Sequence, residues 1–173
     1  MDQHSHPTRP PSRPSDPRRR RRRFRIAVLT LVFLGVCGLA SRYRLVWVVG
    51  NSMLPTFRSG DLLLVDRWAY RHREPDRGEV VVASHHGEWV IKRVVGLPGE
   101  TVEVHEGRVE IDGSPLETGS SSPSGSLNIA SARLLSHRFA ILGDNRAIDP
   151  ASFIHAVVGP EQLLGRVVLP AGR

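Results

Sequence analysis

Ser52 and Lys92 are the two side chains in this sequence whose types could together carry out covalent chemistry. Ser52 follows Gly50-Asn51, a dipeptide suited to a tight turn. In such a turn a serine can present its hydroxyl outward as a nucleophile. Its own backbone N–H can serve as a donor to a developing oxyanion. A turn serine with no chemical task fits the same residues. Met53, next in sequence, reads as an apolar plug, and Pro55 as a rigid turn element.

A serine hydroxyl needs a base. The chain has eight histidines, the usual choice, yet none stands in a triad-like setting. His4 and His6 lie in an N-terminal tail. His72, His85, His86, His105, His137 and His155 are scattered over loops and polar strand positions. That leaves Lys92, within Val90-Ile91-Lys92-Arg93-Val94-Val95. A lysine with the ordinary pKa of about 10.4 is well under one per cent neutral near pH 7. Burial in an apolar strand disfavours the ammonium and supplies the neutral amine that can accept a proton. A lysine whose stem lies along the strand with its ammonium in water is the competing reading. Residue usage points to the first. The chain has 23 arginines and this one lysine, and only a lysine can give up its proton on burial.

Gly143-Asp144-Asn145 ends another apolar run, and its plainest reading is a turn whose Asp and Asn bond the backbone. No metal-ligand cluster, phosphate loop or dinucleotide motif accompanies these residues, so neither metal nor cofactor is expected.

The elements that must position Ser52 and Lys92 follow from composition and patterning. The 173 residues are enough for one domain. The formal charge of +7 sits wholly in residues 1–25, where nine arginines (9, 13, 18–23 and 25) face Asp2 and Asp16. Beyond Arg25 the charges balance, which gives the body no basic face and makes nucleic acid an unexpected partner. The one cysteine, Cys37, lies inside an apolar run as a small filler and excludes a disulfide within the chain.

Residues 1–25 read as a disordered, arginine-rich tail. Residues 26–41 read as a transmembrane anchor, and residues 42–173 as the body. The apolar run Ile26–Ala40 rises only about 22 Å as a helix, short of the roughly 30 Å hydrocarbon core. Snorkelling of Arg25, Arg42 and Arg44 covers the deficit, and Tyr43 and Trp47 suit an interfacial belt. A cleaved secretory signal ending near Gly38-Leu39-Ala40 and a buried core helix are the competing readings. In the first two cases the basic flank stays in the cytoplasm and the body is exported.

From Leu45 onward the pattern is mainly β. Leu45–Val49, Leu62–Val65, Glu79–Ala83, Trp89–Val95, Phe139–Leu142 and Leu163–Leu169 are short apolar runs bounded by turn residues. Thr101–His105 and Arg108–Asp112 alternate around Glu106-Gly107 as a hairpin. Ser114–Ser126 reads as a loop.

Four ordered motifs together resemble the type I signal peptidases, Ser-Lys enzymes of the S26-like serine protease family. Gly50–Thr56 resembles their nucleophile box and Gly60–Val65 the strand box that follows. Lys92–Glu100 is similar to their lysine box almost throughout, and Gly143-Asp144-Asn145-Arg146 to the start of the last box. The resemblance spans about residues 18 to 169. It implies a β-rich catalytic body behind one N-terminal transmembrane helix, with Ser52 as nucleophile and Lys92 as general base. Gly50, Met53, Asp144, Asn145, Arg146, Asp149 and Ser152 are the supporting residues it marks out.

Two positions depart from the family pattern. Members usually continue the last box with Ser, then Asp-Ser-Arg. Here Asp149 stands about where the first Ser would be, and Ser152 matches only the later one. A carboxylate beside Lys92 would favour the ammonium and oppose the shift a base needs. Gly50 stands where some members supply an oxyanion-hole hydroxyl, which leaves the Ser52 N–H as the nameable donor.

The resemblance implies an endopeptidase that removes signal peptides from exported precursors. It would sit in the cytoplasmic membrane with its N-terminus inside and its catalytic body outside. Its partners would be signal peptides and the lipid bilayer. The alternative motivated by Ala147–Phe153 is a weak or inactive anchored paralogue that binds signal or apolar segments. A self-cleaving repressor uses a similar Ser-Met and Lys pair but needs a DNA-binding helical domain, for which residues 1–44 leave no room.

Overall fold

Proline at a first helical turn sacrifices no hydrogen bond, and arginine is a good helix former. Both apply at Pro17, where the helix α1 begins; it runs to Arg42. The computed structural model describes residues 17–116, 125, 127–147 and 156–170. Arg18–Arg25, expected as part of a disordered tail, are therefore helical, a correction to the boundary drawn at Ile26. Residues 1–16 of that tail lie outside the described residues. Arg21–Arg42 is long and apolar enough to cross a membrane, and its apolar window is not buried. At about 1.5 Å per residue its 22 residues rise about 33 Å, with Arg21–Arg25 and Arg42 at the ends to cover the deficit of Ile26–Ala40 by snorkelling.

The chain forms two compact units, Met1–Leu39 and Ala40–Arg173. After α1 ends at Arg42, the regular structure of the second is β apart from one 3-10 turn at Pro160–Gln162 among the described residues. Its strands are β1 (Tyr43–Trp47), β2 (Leu62–Asp66), β3 (Val80–His85), β4 (Glu88–Gly96), β5 (Thr101–His105) and β6 (Arg108–Ile111). They continue as β7 (Ser114–Pro115), β8 (Ile129–Arg133), β9 (Phe139–Leu142), β10 (Ala156–Val158) and β11 (Leu163–Pro170). Seven form one sheet in the order β1-β2-β11-β3-β4-β9-β10, and four form a second in the order β7-β6-β5-β8. The mainly β reading of the body holds.

β4 carries Lys92 and is interior to the larger sheet. It pairs antiparallel with β3, placing Val81 opposite Lys92, and on its other edge with β9, placing Leu142 opposite Arg93. Both edges are occupied from Arg93 onward, so ladder bonds on two sides fix the strand that carries Lys92. Burial along β4 alternates in its centre, with Val90, Lys92 and Val94 buried and Ile91 and Arg93 half-buried. Period-two alternation thus puts the lysine where the pattern demands an apolar residue.

Three apolar clusters hold the body together. One centres on Val81, Val94, Phe139 and Ile141 within the larger sheet. A second joins the sheets, bringing Val95 of β4 and Leu142 of β9 against Val102, Val104 and Val109 of the smaller one. The third, of Val48, Met53, Phe57, Leu63 and Val80, includes the chain on both sides of Ser52. The β5–β6 hairpin turns at Glu106 (φ 47°) and Gly107 (φ 78°), the two positive φ values a tight two-residue hairpin turn requires.

Three strands were not foreseen. β8 is exposed at four of its five positions, so its sequence shows no apolar alternation; pairing with β5 makes it a strand. β7 and β10 have two and three residues, too few for a periodic signal. Most of the expected loop Ser114–Ser126 lies outside the described residues, and its first two residues are β7.

Candidate active site

The segment from Gly50 to Thr56 connects β1 to β2. Gly50 has φ 90°, a conformation that side-chain-bearing residues rarely adopt, so glycine is needed to start the turn. Met53 is 1% exposed and packs with Val48, Phe57, Leu63 and Val80, filling the plug position foreseen for it. Turn bonds from Leu54 N–H to the Asn51 carbonyl (3.2 Å) and Phe57 N–H to the Met53 carbonyl (2.9 Å) close the segment. Ser52, half-buried, is held between them.

Residues 143–146 meet this turn from the far end of the chain. Asn145 donates its backbone N–H to the Ser52 carbonyl at 3.0 Å. Its side-chain amide donates to the Asn51 carbonyl, also at 3.0 Å. Gly143 fills the space between the serine and the lysine. A Cβ placed on it would fall 2.5 Å from the Ser52 carbonyl oxygen and 3.3 Å from Lys92 Nζ. The Ser52 backbone and the lysine amine therefore converge on one face of Gly143.

Lys92 is 3% exposed. Burial pushes its pKa down to about 8, with the Asp144 carboxylate opposing that shift as the lesser influence. Asp144 is fully buried and its charge is engaged elsewhere. It accepts hydrogen bonds from Arg93 Nε (2.8 Å) and Nη2 (2.6 Å), a bidentate pair, and from Thr56 Oγ1 (2.5 Å). Arg93 also donates to the Gly78 carbonyl at 2.7 Å. The hydrogen bond to Asp144 holds the Arg93 guanidinium above its ordinary pKa.

Arg146 is 1% exposed and donates to the carbonyls of Gly143 (2.7 Å) and Gly107 (3.0 Å). Desolvation lowers it to about 10, which leaves it charged at neutral pH. Its bond to Gly143 ties the residue between serine and lysine to the hairpin of the smaller sheet.

Ser52 and Lys92 both line a groove of about 620 Å³. One wall is Val46–Met53 and the other is Glu88–Lys92. Among the described residues no histidine lines it. The site therefore gathers Gly50, Ser52, Met53, Lys92, Asp144, Asn145 and Arg146 from the residues singled out in sequence. Asp149 and Ser152 lie outside the described residues. The carboxylate that acts on Lys92 among the described residues is Asp144. Sequence reasoning gave no part to Arg93, Thr56 or Gly143. Arg93 adjoins Lys92, and Thr56 closes the serine turn, but nothing local to either predicts an Asp144 partner far along the chain.

A family model described as signal peptidase, peptidase S26, matches residues 21–171. The chain belongs to this family. A probable signal peptidase I-2 of a Synechocystis species is 32% identical over 128 residues, covering 69% of this chain and 59% of that protein. A signal peptidase I of Leptolyngbya laminosa is 32% identical over 154 residues, covering 83% and 75%. A solved signal peptidase I from Enterococcus faecalis V583 has 22% identity and a TM-score of 0.45, covering 56% of this chain and 98% of that one. The chain thus spans about three-fifths of the Synechocystis relative. The S26 resemblance carried by the four sequence motifs holds, and with it the family's class of serine endopeptidase.

Proposed function

We propose that this S26 family member is a membrane-anchored serine endopeptidase that removes N-terminal signal peptides from exported precursors, with Ser52 as nucleophile and Lys92 as general base. The observation that carries the reading is that Ser52 and Lys92 line one groove, with the Ser52 carbonyl and Lys92 Nζ both lying against Gly143. A lysine with a pKa of about 8 is neutral in about one molecule in ten at pH 7, enough for a working base.

In the reaction, neutral Lys92 takes the Ser52 hydroxyl proton as Oγ attacks the scissile carbonyl. The Ser52 backbone N–H donates to the oxyanion that forms. Collapse breaks the C–N bond, and the Lys92 ammonium delivers its proton to the leaving amine. A water then gives its proton to Lys92 and attacks the acyl-enzyme; Lys92 passes that proton to Ser52 Oγ as the ester bond breaks, which releases the signal peptide and restores both groups. Asp144 stays out of this proton traffic because Arg93 engages its carboxylate.

The apolar helix suits a membrane anchor, and the arginine run Arg18–Arg23 favours a cytoplasmic N-terminus with the body outside. Ser52 follows Ala40 by 12 residues, so the chain tethers the nucleophile near the bilayer that holds a precursor's own apolar segment.

The test is cleavage of a precursor bearing an Ala-X-Ala site by the detergent-solubilised chain, wild type beside Ser52→Ala. Cleavage that is lost in the variant supports the reading. Cleavage that survives the substitution refutes it, and a folded wild type inert on several precursors favours the non-catalytic binder.

A further inference from the structure

A second concavity of about 370 Å³ lies in the body, lined in part by Ser41, the residue that follows the apolar segment Ile26–Ala40. Arg44, Arg67 and Arg71 ring it, with Trp68 and Trp89 beside them and valine and leucine side chains beneath. No carboxylate is among its lining residues. Among the described residues none of these three arginines forms an ion pair with a carboxylate, whereas neighbouring Arg42 is bound to Asp66 at 2.8 Å. Arg44 stacks over the Trp89 ring at 4.5 Å and Arg71 over the Trp68 ring at 4.2 Å, which orients both guanidinium planes. Arg67 donates to the Ser41 carbonyl at 3.4 Å.

Three uncompensated guanidiniums around one hollow call for an anion, and guanidinium donors match phosphate oxygens two at a time. The tryptophans and the apolar floor call for a ligand that is amphipathic as well, of the kind such rings meet at a membrane–water boundary. Chain continuity supplies the setting, because Ser41 lies at the end of the segment Arg21–Arg42, long and apolar enough to cross a bilayer, and Arg44 comes just after it. From this combination we infer that the pocket of Arg44, Arg67, Arg71, Trp68 and Trp89 binds the phosphodiester headgroup of an anionic phospholipid. With no carboxylate to receive a choline ammonium, the pocket selects net negative charge over a zwitterion. The inference shares only the membrane anchor with the proposed function, and its test reads lipid binding and not cleavage.

The experiment is native mass spectrometry of the detergent-solubilised full chain with phosphatidylglycerol, phosphatidylcholine or inorganic phosphate added. Wild type should retain one phosphatidylglycerol at concentrations where phosphatidylcholine is lost. Arg44→Gln/Arg71→Gln should weaken retention about 30-fold, and Arg67→Gln alone about fivefold. All three arginines are exposed, so the variants should fold, as circular dichroism will check. The run Arg18–Arg23 stays intact throughout, so its own attraction for anionic lipid cancels. Equal retention of the two lipids overturns the inference, as does undiminished retention by the folded variants. Displacement of phosphatidylglycerol by inorganic phosphate at matching concentration would make this a free-anion site and overturn the lipid assignment.

Discussion

Lys92 Nζ lies 3.3 Å from the point where a Cβ on Gly143 would stand, and the Ser52 carbonyl oxygen lies 2.5 Å from the same point. Gly143 is not among the residues with positive φ, so what requires glycine there is space and not backbone conformation. Gly143→Ala should therefore fold yet displace the lysine, the serine turn, or both. A misplacement of about 1 Å at reacting groups costs about a hundredfold in rate. Precursor cleavage by Gly143→Ala should fall by about that factor with KM little changed. A variant as active as wild type would show that the two groups do not react across this glycine.

With Lys92 as the proposed base, cleavage should have a distinctive pH dependence. The reactive form would be the neutral amine, and the pKa is about 8. The cleavage rate kcat/KM should rise about tenfold per pH unit on the acid side and level off above pH 8. Stability carries the same signature. The folded pKa is below the ordinary lysine value of 10.5, so between about pH 8 and 10.5 the unfolded chain binds the extra proton. Stability should rise with pH across that window, and below it the full cost of burying the ammonium applies. Denaturant titrations of wild type against Lys92→Met, repeated at several pH values, isolate this contribution as the difference between the two curves.

The division between what the sequence made legible and what it hid follows sequence separation. The Ser52 turn, the Lys92 strand and the Glu106-Gly107 hairpin are each local patterns, readable from a few consecutive residues. The roles of Arg93, Thr56 and Gly143 exist only because β9 pairs with β4 and delivers residues 143–146 to the serine turn. No local propensity encodes that meeting. β8 was invisible for a related reason: its outward residues are polar or small, and pairing alone makes it a strand. α1 starts at Pro17 because arginine favours helix, a propensity that a run of like charge conceals in the sequence.

Asn145 clamps the serine turn twice, and the two bonds can be separated. Its backbone N–H to the Ser52 carbonyl survives any substitution but proline, whereas Asn145→Ala removes the amide bond to the Asn51 carbonyl and the acceptor for the Ala147 N–H. The loss should cost about 1 kcal/mol of stability. A looser turn should lower kcat several-fold and change KM less, because the opposite wall, Glu88–Lys92, is untouched. Steady-state kinetics beside a denaturant melt will read both. An effect confined to KM would place Asn145 in substrate binding instead.

The Arg93–Asp144 pair makes the most discriminating prediction, because it joins stability to the base. Asp144 is fully buried and depends on Arg93 for two of its hydrogen bonds. Arg93→Ala leaves that carboxylate without its cation, which for a buried pair costs about 3–5 kcal/mol. The same change exposes Lys92 to an unscreened negative charge, which favours the ammonium. The acid limb of the cleavage profile should then move to higher pH. Removing both charges in Arg93→Met/Asp144→Leu should recover much of the stability and move the limb below the wild-type position, since the carboxylate that raises Lys92 among the described residues is gone. A cycle of the two single variants and the double, read by melting and by pH profile, tests both halves. If the limb stays fixed in all three, Asp144 has no electrostatic hold on the lysine, and its part is to anchor Thr56 and the serine turn.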